Sequence, residues 1–174
     1  MEDRIVHETS RWERTADQRI AIMVDVQNMF YSAKYQYNKK LDFRALMDTI
    51  VKGRKLIRAV CYVVKSPDID QTSFLSFLTQ AGYEIRIKNL KFMPDGSTKG
   101  DWDMGIAIES IAVAEKVDVI ALVSGDGDFC ALVEMLKARG VRVEVYSFPS
   151  NTAEELKVSA TEFFPLDANV LLYT

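Results

Sequence analysis

Acidic residues recur in this sequence at places where they can act together. Asp25 closes the short apolar run Ile20-Ala-Ile-Met-Val and is followed closely by Asn28. Lys99-Gly100-Asp101-Trp102-Asp103 opens a helical stretch, and Ser124-Gly125-Asp126-Gly127-Asp128 follows the apolar run Val119 to Val123. Several carboxylates in one crevice cannot all stay ionised without a compensating cation. Oxygen donors alone select a hard ion, Mg²⁺ or Mn²⁺. One or two such ions activate water and neutralise charge building on a phosphoryl group.

The remaining inventory narrows the chemistry by exclusion. The single histidine, His7, lies in a polar preamble. Neither a Ser-His-Asp nor a Cys-His nucleophile fits, nor does a His-rich metal centre. Cys61 and Cys130 fall inside apolar runs and read as core. The glycines of residues 125–128 lack both the P-loop lysine and the Gly-x-Gly-x-x-Gly spacing, and the two acids repel phosphate unless a metal intervenes. Lys99, beside the acids, suits either a phosphate or a salt bridge. Tyr31, Tyr35 and Tyr37, with Phe30, read mainly as core or helix surface, one or two being able to stack on a base.

Each acid also has a plainer use. Asp25 can cap the helix after it, Asp126 and Asp128 can form a turn and a cap, and Asp101 or Asp103 can cap its own helix. Residues 101 and 103 lie about 200° apart if both are helical, so only one of them then faces a given crevice.

The elements that must position these acids alternate. Strands are expected at Ile20 to Asp25, Leu56 to Val64, Tyr83 to Asn89, Val119 to Val123 and Val141 to Tyr146, with an edge strand at 169–173. Helices are expected at Asn28 to Tyr37, Phe43 to Val51, Asp70 to Ala81, Trp102 to Val117, Phe129 to Arg139 and Thr152 to Ser159, and a loop at 93–100. Strands alternating with helices imply βαβ units and a three-layer α/β/α sandwich with a mainly parallel sheet. An order 3-2-1-4-5 makes the first and fourth strands neighbours and places the switch point between them. Ligands of open α/β sheets bind at that point, outside the strands' carboxyl ends.

Composition sets the outer bounds. The chain has 174 residues, 48% hydrophobic and 27% charged, with formal net charge -3. It is long enough for one sizeable core, and too apolar for a disordered protein. Residues 1–19 read as a polar N-terminal extension without the apolar stretch of a secretory signal, and 20–174 as a single domain. No apolar run reaches the roughly 20 residues that cross a bilayer. Two cysteines in apolar runs suit a reducing compartment, so a cytoplasmic protein without membrane contact is expected. Residues 34 to 99 carry thirteen Lys or Arg against six acids, whereas the rest of the chain is acidic. A polyanion can lie on the basic part and be cut at the acidic one.

Together the three acidic motifs resemble the NYN domain, in its LabA-like bacterial branch, over roughly residues 18 to 150. NYN domains belong to the PIN-like nucleases, relatives of flap endonucleases. The resemblance implies a PIN-like, Rossmann-like fold and Mg²⁺ or Mn²⁺ held by Asp25, Asp103, Asp126 and Asp128. It implies Asn28 as an orienting polar group of the catalytic set, and Ser124 as a hydroxyl near metal or phosphate; Lys99 is placed on the substrate side by its position beside the acids. The family often has Lys-Gly-x-Asp where this chain has Lys-Gly-Asp-Trp-Asp. Asp103 is preferred to Asp101 because it sits six residues before Glu109, which stands where the family commonly has Asp as a further ligand. The activity implied is that of a metal-dependent endoribonuclease, with water attacking an RNA phosphodiester in line. RNA is the implied partner, and a homodimer is allowed. The alternatives are a non-catalytic NYN regulator or RNA-binding module and, with less support, a small-molecule phosphatase or nucleotide hydrolase.

Overall fold

The computed structural model describes residues 14–172. Residues 1–13 of the expected extension and 173–174 of the expected last strand lie outside the described residues. In chain order the elements are β1 (Arg19–Asp25), α1 (Val26–Tyr37), α2 (Phe43–Val51), β2 (Lys55–Lys65), α3 (Thr72–Gln80), β3 (Glu84–Asn89), β4 (Lys91–Phe92), β5 (Thr98–Lys99), α4 (Asp103–Val113), β6 (Val119–Val123), α5 (Cys130–Ala138), β7 (Arg142–Ser147), α6 (Glu154–Ser159) and β8 (Glu162–Pro165). Six strands form one sheet in the order β3-β2-β1-β6-β7-β8, every pairing parallel. The first five follow the expected order.

β1 is central, and its alternation makes the sheet two-sided. Ile20, Ile22 and Val24 join Met29 and Ala33 of α1, Leu46 and Ile50 of α2 and Leu78 of α3 in one core layer. Ala21 and Met23 point the other way, into a layer with Ile106 of α4, Val133 and Leu136 of α5 and Leu156 of α6. Residues 20 to 24 are wholly buried. Each large aliphatic side chain there contributes about 1.5–3 kcal/mol. The result is a three-layer α/β/α sandwich. Among the described residues no helix is long and apolar enough to cross a membrane.

Three expectations need correction. The extra edge strand is β8, beside β7, and not 169–173; the latter stretch begins in a turn of 3₁₀ helix at Ala168–Val170 that Asp167 caps through the Asn169 N–H. Among the described residues Leu171 contributes a single antiparallel bridge, to Leu41. β8 is four residues long and ends in proline, which a sheet edge tolerates because no further strand needs its missing N–H. The loop at 93–100 is tied into a hairpin by the antiparallel pairing of β4 with β5. The helix from Asp103 ends as α-helix at Val113 and tightens into a 3₁₀ turn, Ala114–Lys116.

Near the N-terminal ends of β1 and β2 the core encloses charge. The Arg54 guanidinium donates to both carboxylate oxygens of Glu144 at 2.8 and 2.9 Å, with side-chain exposures of 1% and 0%. Arg142 Nε and the Tyr146 hydroxyl donate to the same carboxylate at 2.7 and 2.8 Å, and Arg142 also pairs with Glu162. Burial pushes Glu144 up, but the hydrogen bonds from Arg54, Arg142 and Tyr146 outweigh it and hold the acid below its ordinary value.

Candidate metal centre

Strand register brings Asp25 and the 124–128 motif together. β1 and β6 pair with Val24 opposite Val123, so the residues that follow, Asp25 at the end of β1 and Ser124 just after β6, meet at the sheet's C-terminal edge. The buried Ser124 hydroxyl donates to Asp25 Oδ2 at 3.3 Å and accepts from the Asp126 N–H at 3.2 Å. Asp25 is also the N-cap of α1, accepting from the Asn28 N–H at 3.3 Å. The Asn28 side-chain oxygen accepts from the Gly125 N–H at 3.0 Å, tying the first turn of α1 to the loop after β6. One carboxylate oxygen of Asp25 thus serves the cap, and the other accepts from Ser124.

That loop is shaped by close approach. A Cβ on Gly125 would lie 2.2 Å from the Asn151 carbonyl oxygen, and one on Gly127 would lie 2.6 Å from Glu155 Oε1. Gly125 therefore admits the segment before α6 and Gly127 the first turn of α6, and the Gly125 carbonyl accepts from the Ala153 N–H at 3.0 Å. Asp126 caps the short turn that follows, accepting from the Asp128 N–H at 2.9 Å.

The third motif is held by its tryptophan. Trp102 Nε1 donates to the Val63 carbonyl at 3.0 Å, and its ring packs on Tyr62 with centroids 5.4 Å apart. Lys88 lies 4.4 Å from the centre of the same ring and donates to the Asp101 carbonyl at 2.8 Å. α4 begins only at Asp103, so Asp101 precedes the helix, caps the Asp103 N–H at 3.1 Å, and both acids reach the same cleft. The helical geometry that would have separated them does not apply.

The cleft has a volume of about 520 Å³ and is lined by Asp25, Asp101, Asp103, Asp126 and Asp128 with Gln27, Asn28, Tyr31, Ser32, Tyr35 and Asn151. Asp103, Asp126 and Asp128 each offer a carboxylate oxygen, all within 4.8 Å of one another. Burial pushes the Asp103 carboxyl up to about 6, helped by the charges of Asp126, Asp101, Asp25 and Asp128. Burial likewise raises Asp25 to about 6, against the hydrogen bonds from Asn28 and Ser124. No Lys or Arg lines the cleft among the described residues.

A model of the NYN domain matches residues 19–167. The chain belongs to the NYN domain family. It is 31% identical to the low amplitude and bright protein LabA of Synechococcus elongatus over 157 residues, 86% of this chain and 84% of that protein, in keeping with the LabA-like branch. The crystal structure of a protein of unknown function from Vibrio parahaemolyticus overlays with a TM-score of 0.84 at 36% identity, covering 92% of this chain and 99% of that one.

Within the NYN domain two expected positions fall elsewhere. Lys99 is exposed on β5 and does not line the cleft. Glu109 is taken by arginines: Arg86 Nε and Arg58 Nη2 donate to its two oxygens at 2.8 and 2.9 Å. Burial raises Glu109, and these two hydrogen bonds more than reverse it. Gln27, Ser32 and Asn151 were not foreseen. Gln27 is legible as the residue one helical turn before Tyr31, whereas Asn151 arrives from a remote loop that no local pattern points to.

Proposed function

We propose that this NYN domain, acting as one unit over residues 20–174, is a metal-dependent ribonuclease that hydrolyses RNA phosphodiester bonds. One observation carries the reading: three carboxylate oxygens, from Asp103, Asp126 and Asp128, converge within 4.8 Å, with no cationic side chain among the described residues that line the cleft. Such a donor set fits a hard divalent ion, Mg²⁺ or Mn²⁺, and is otherwise self-repelling. Asp103, Asp126 and Asp128 would hold it, with Asp25 as the fourth carboxylate. Bound there, the ion neutralises charge on the phosphoryl group and acidifies water. Ser124 and Asn28 fix the carboxylates through the hydrogen bonds to Asp25, Asp126 and Gly125. Lys99 and the basic surface of residues 34 to 99 attract the RNA backbone outside the cleft. The working compartment on this reading is the cytoplasm.

The test uses purified protein and labelled single-stranded RNA, with Mn²⁺ and with EDTA, beside an Asp126→Asn variant. Cutting is expected in Mn²⁺ alone, and the variant is expected to lose on the order of 100-fold or more, as when one preorganised charge-stabilising group is removed. RNA bound but intact in every lane would instead make the protein a non-catalytic RNA-binding module. Phosphate released from a mononucleotide, with RNA uncut, would make it a small-molecule phosphatase.

A further inference from the structure

α1 contributes more to the cleft than the Asn28 tether. Gln27, Tyr31 and Tyr35 recur every fourth residue, so they stand one above another on a single helix face, and all three line the cleft. The two tyrosines are 52% and 83% exposed although they border a concave site. Their rings are therefore not consumed by the core, unlike Tyr37, which packs on Phe148 with centroids 5.3 Å apart. Phe30 meets Tyr31 edge-on at 5.8 Å and 77°, which steadies that ring. Ser150 donates to the Gln36 side-chain oxygen at 2.6 Å and so braces the loop that carries Asn151 against α1.

The charge of the same lining decides what this wall can hold. Five acids and no Lys or Arg line the cleft among the described residues, so no side chain there grips a phosphate directly, and a bound ion would engage only the phosphate at the acids. Aromatic faces and side-chain amides engage instead the faces and edges of nucleobases. A duplex hides its base faces in its own stack, whereas a single strand presents them.

We propose that Tyr31 and Tyr35, with Gln27 of the same helix and Asn151 of the same cleft, form a base-stacking wall that makes the site selective for single-stranded RNA. The proposal rests on the ribonuclease reading and deepens it by naming the form of the substrate. The wall holds successive bases along α1 and so sets the strand's phosphates beside the acids.

Binding and cutting separate the two claims. Fluorescence anisotropy of a short unstructured RNA with Ca²⁺, its integrity checked on a gel, reads binding for wild type, Tyr31→Leu, Tyr35→Leu, the double variant and the two Tyr→Phe variants. Each Leu change is expected to weaken binding about tenfold, and the pair on the order of 100-fold. Each Phe change keeps the stacking face and stays within about twofold. A matching RNA duplex should bind wild type at least about tenfold more weakly, and its binding should not respond to the Leu changes. Leu variants with unaltered affinity and wild-type melting temperatures would overturn the wall, as would a wild-type protein that prefers the duplex or binds neither form. Cleavage in Mn²⁺ and its loss in Asp126→Asn are read independently. A protein that cuts but ignores the Leu changes keeps the nuclease reading and loses the wall. One that stacks single strands and never cuts keeps the wall and loses hydrolysis.

Discussion

At the N-terminal end of the sheet the Glu144 carboxylate is wholly buried and receives hydrogen bonds from Arg54, Arg142 and Tyr146. At the C-terminal end Asp25, Asp103, Asp126 and Asp128 share a cleft whose described lining has no Lys or Arg. The two regions use the same functional group in opposite electrostatic settings. Around Glu144 every charge is answered from within the chain, and the acid is held below its ordinary value. In the cleft, burial and mutual repulsion push Asp25 and Asp103 up to about 6. A paired buried acid organises the fold, whereas acids converging in a cleft without a cationic side chain repel one another, the setting on which the proposed metal site rests.

The largest expected effect tests the paired region. Glu144→Gln leaves the buried Arg54 without its carboxylate and should cost about 3–5 kcal/mol, read by urea denaturation. Because Glu144 sits below its ordinary 4.5 in the folded protein, the unfolded chain binds more protons in that range. Its contribution is thus present at neutral pH and lost as pH falls below about 4.5 and through the folded value. The variant should lack that part of the acid limb. A Glu144→Gln protein as stable as wild type would erase the contrast drawn above.

The same chemical change in the cleft should have the opposite sign. Asp103→Asn removes repulsion and should stabilise the metal-free protein by about 0.5–2 kcal/mol. Asp103 is raised from 3.8 to about 6, so its ionisation costs stability as pH rises through that window. In the metal-free protein the stabilisation by Asp103→Asn should therefore be larger at pH 7 than at pH 5. Mn²⁺ at a hundredfold excess over its Kd should add about 2.7 kcal/mol at pH 7, and less at pH 5. Melts in EDTA and in Mn²⁺ measure both. An Asp103→Asn protein with an undiminished Mn²⁺ shift would remove Asp103 from the metal centre.

The sheet was readable from the sequence because its strands are continuous apolar runs: Val119 to Val123 matches β6 end for end. The placement of Asp25 and the 124–128 motif followed, since topology alone sets which strand ends adjoin. What could not be read depends on three-dimensional neighbours. Nothing local to Asp101 and Asp103 says that Trp102 anchors on Val63 and delays the helix start, so that both acids enter the cleft. Asn151 comes to the site only because Gly125 admits its backbone. The edge position of β8, with Pro165 paired opposite Ser147, is likewise a property of the sheet and not of four residues.

The smallest effect sharpens the boundary between the two kinds of acid. Glu109 lies on α4, the helix that Asp103 begins, yet it is answered by Arg58 of β2 and Arg86 of β3. It therefore belongs with Glu144 in kind, though it is less buried and its partners are partly exposed, so solvent screens the pairs. Glu109→Gln should cost about 0.5–1 kcal/mol. It should leave the Mn²⁺-dependent melting shift at its wild-type size, because the carboxylate holds two β-strands to α4 and no cation. Were the shift to fall as it does for Asp103→Asn, Glu109 would count among the metal ligands, and its arginine pairs would be one of two arrangements that the bound ion displaces.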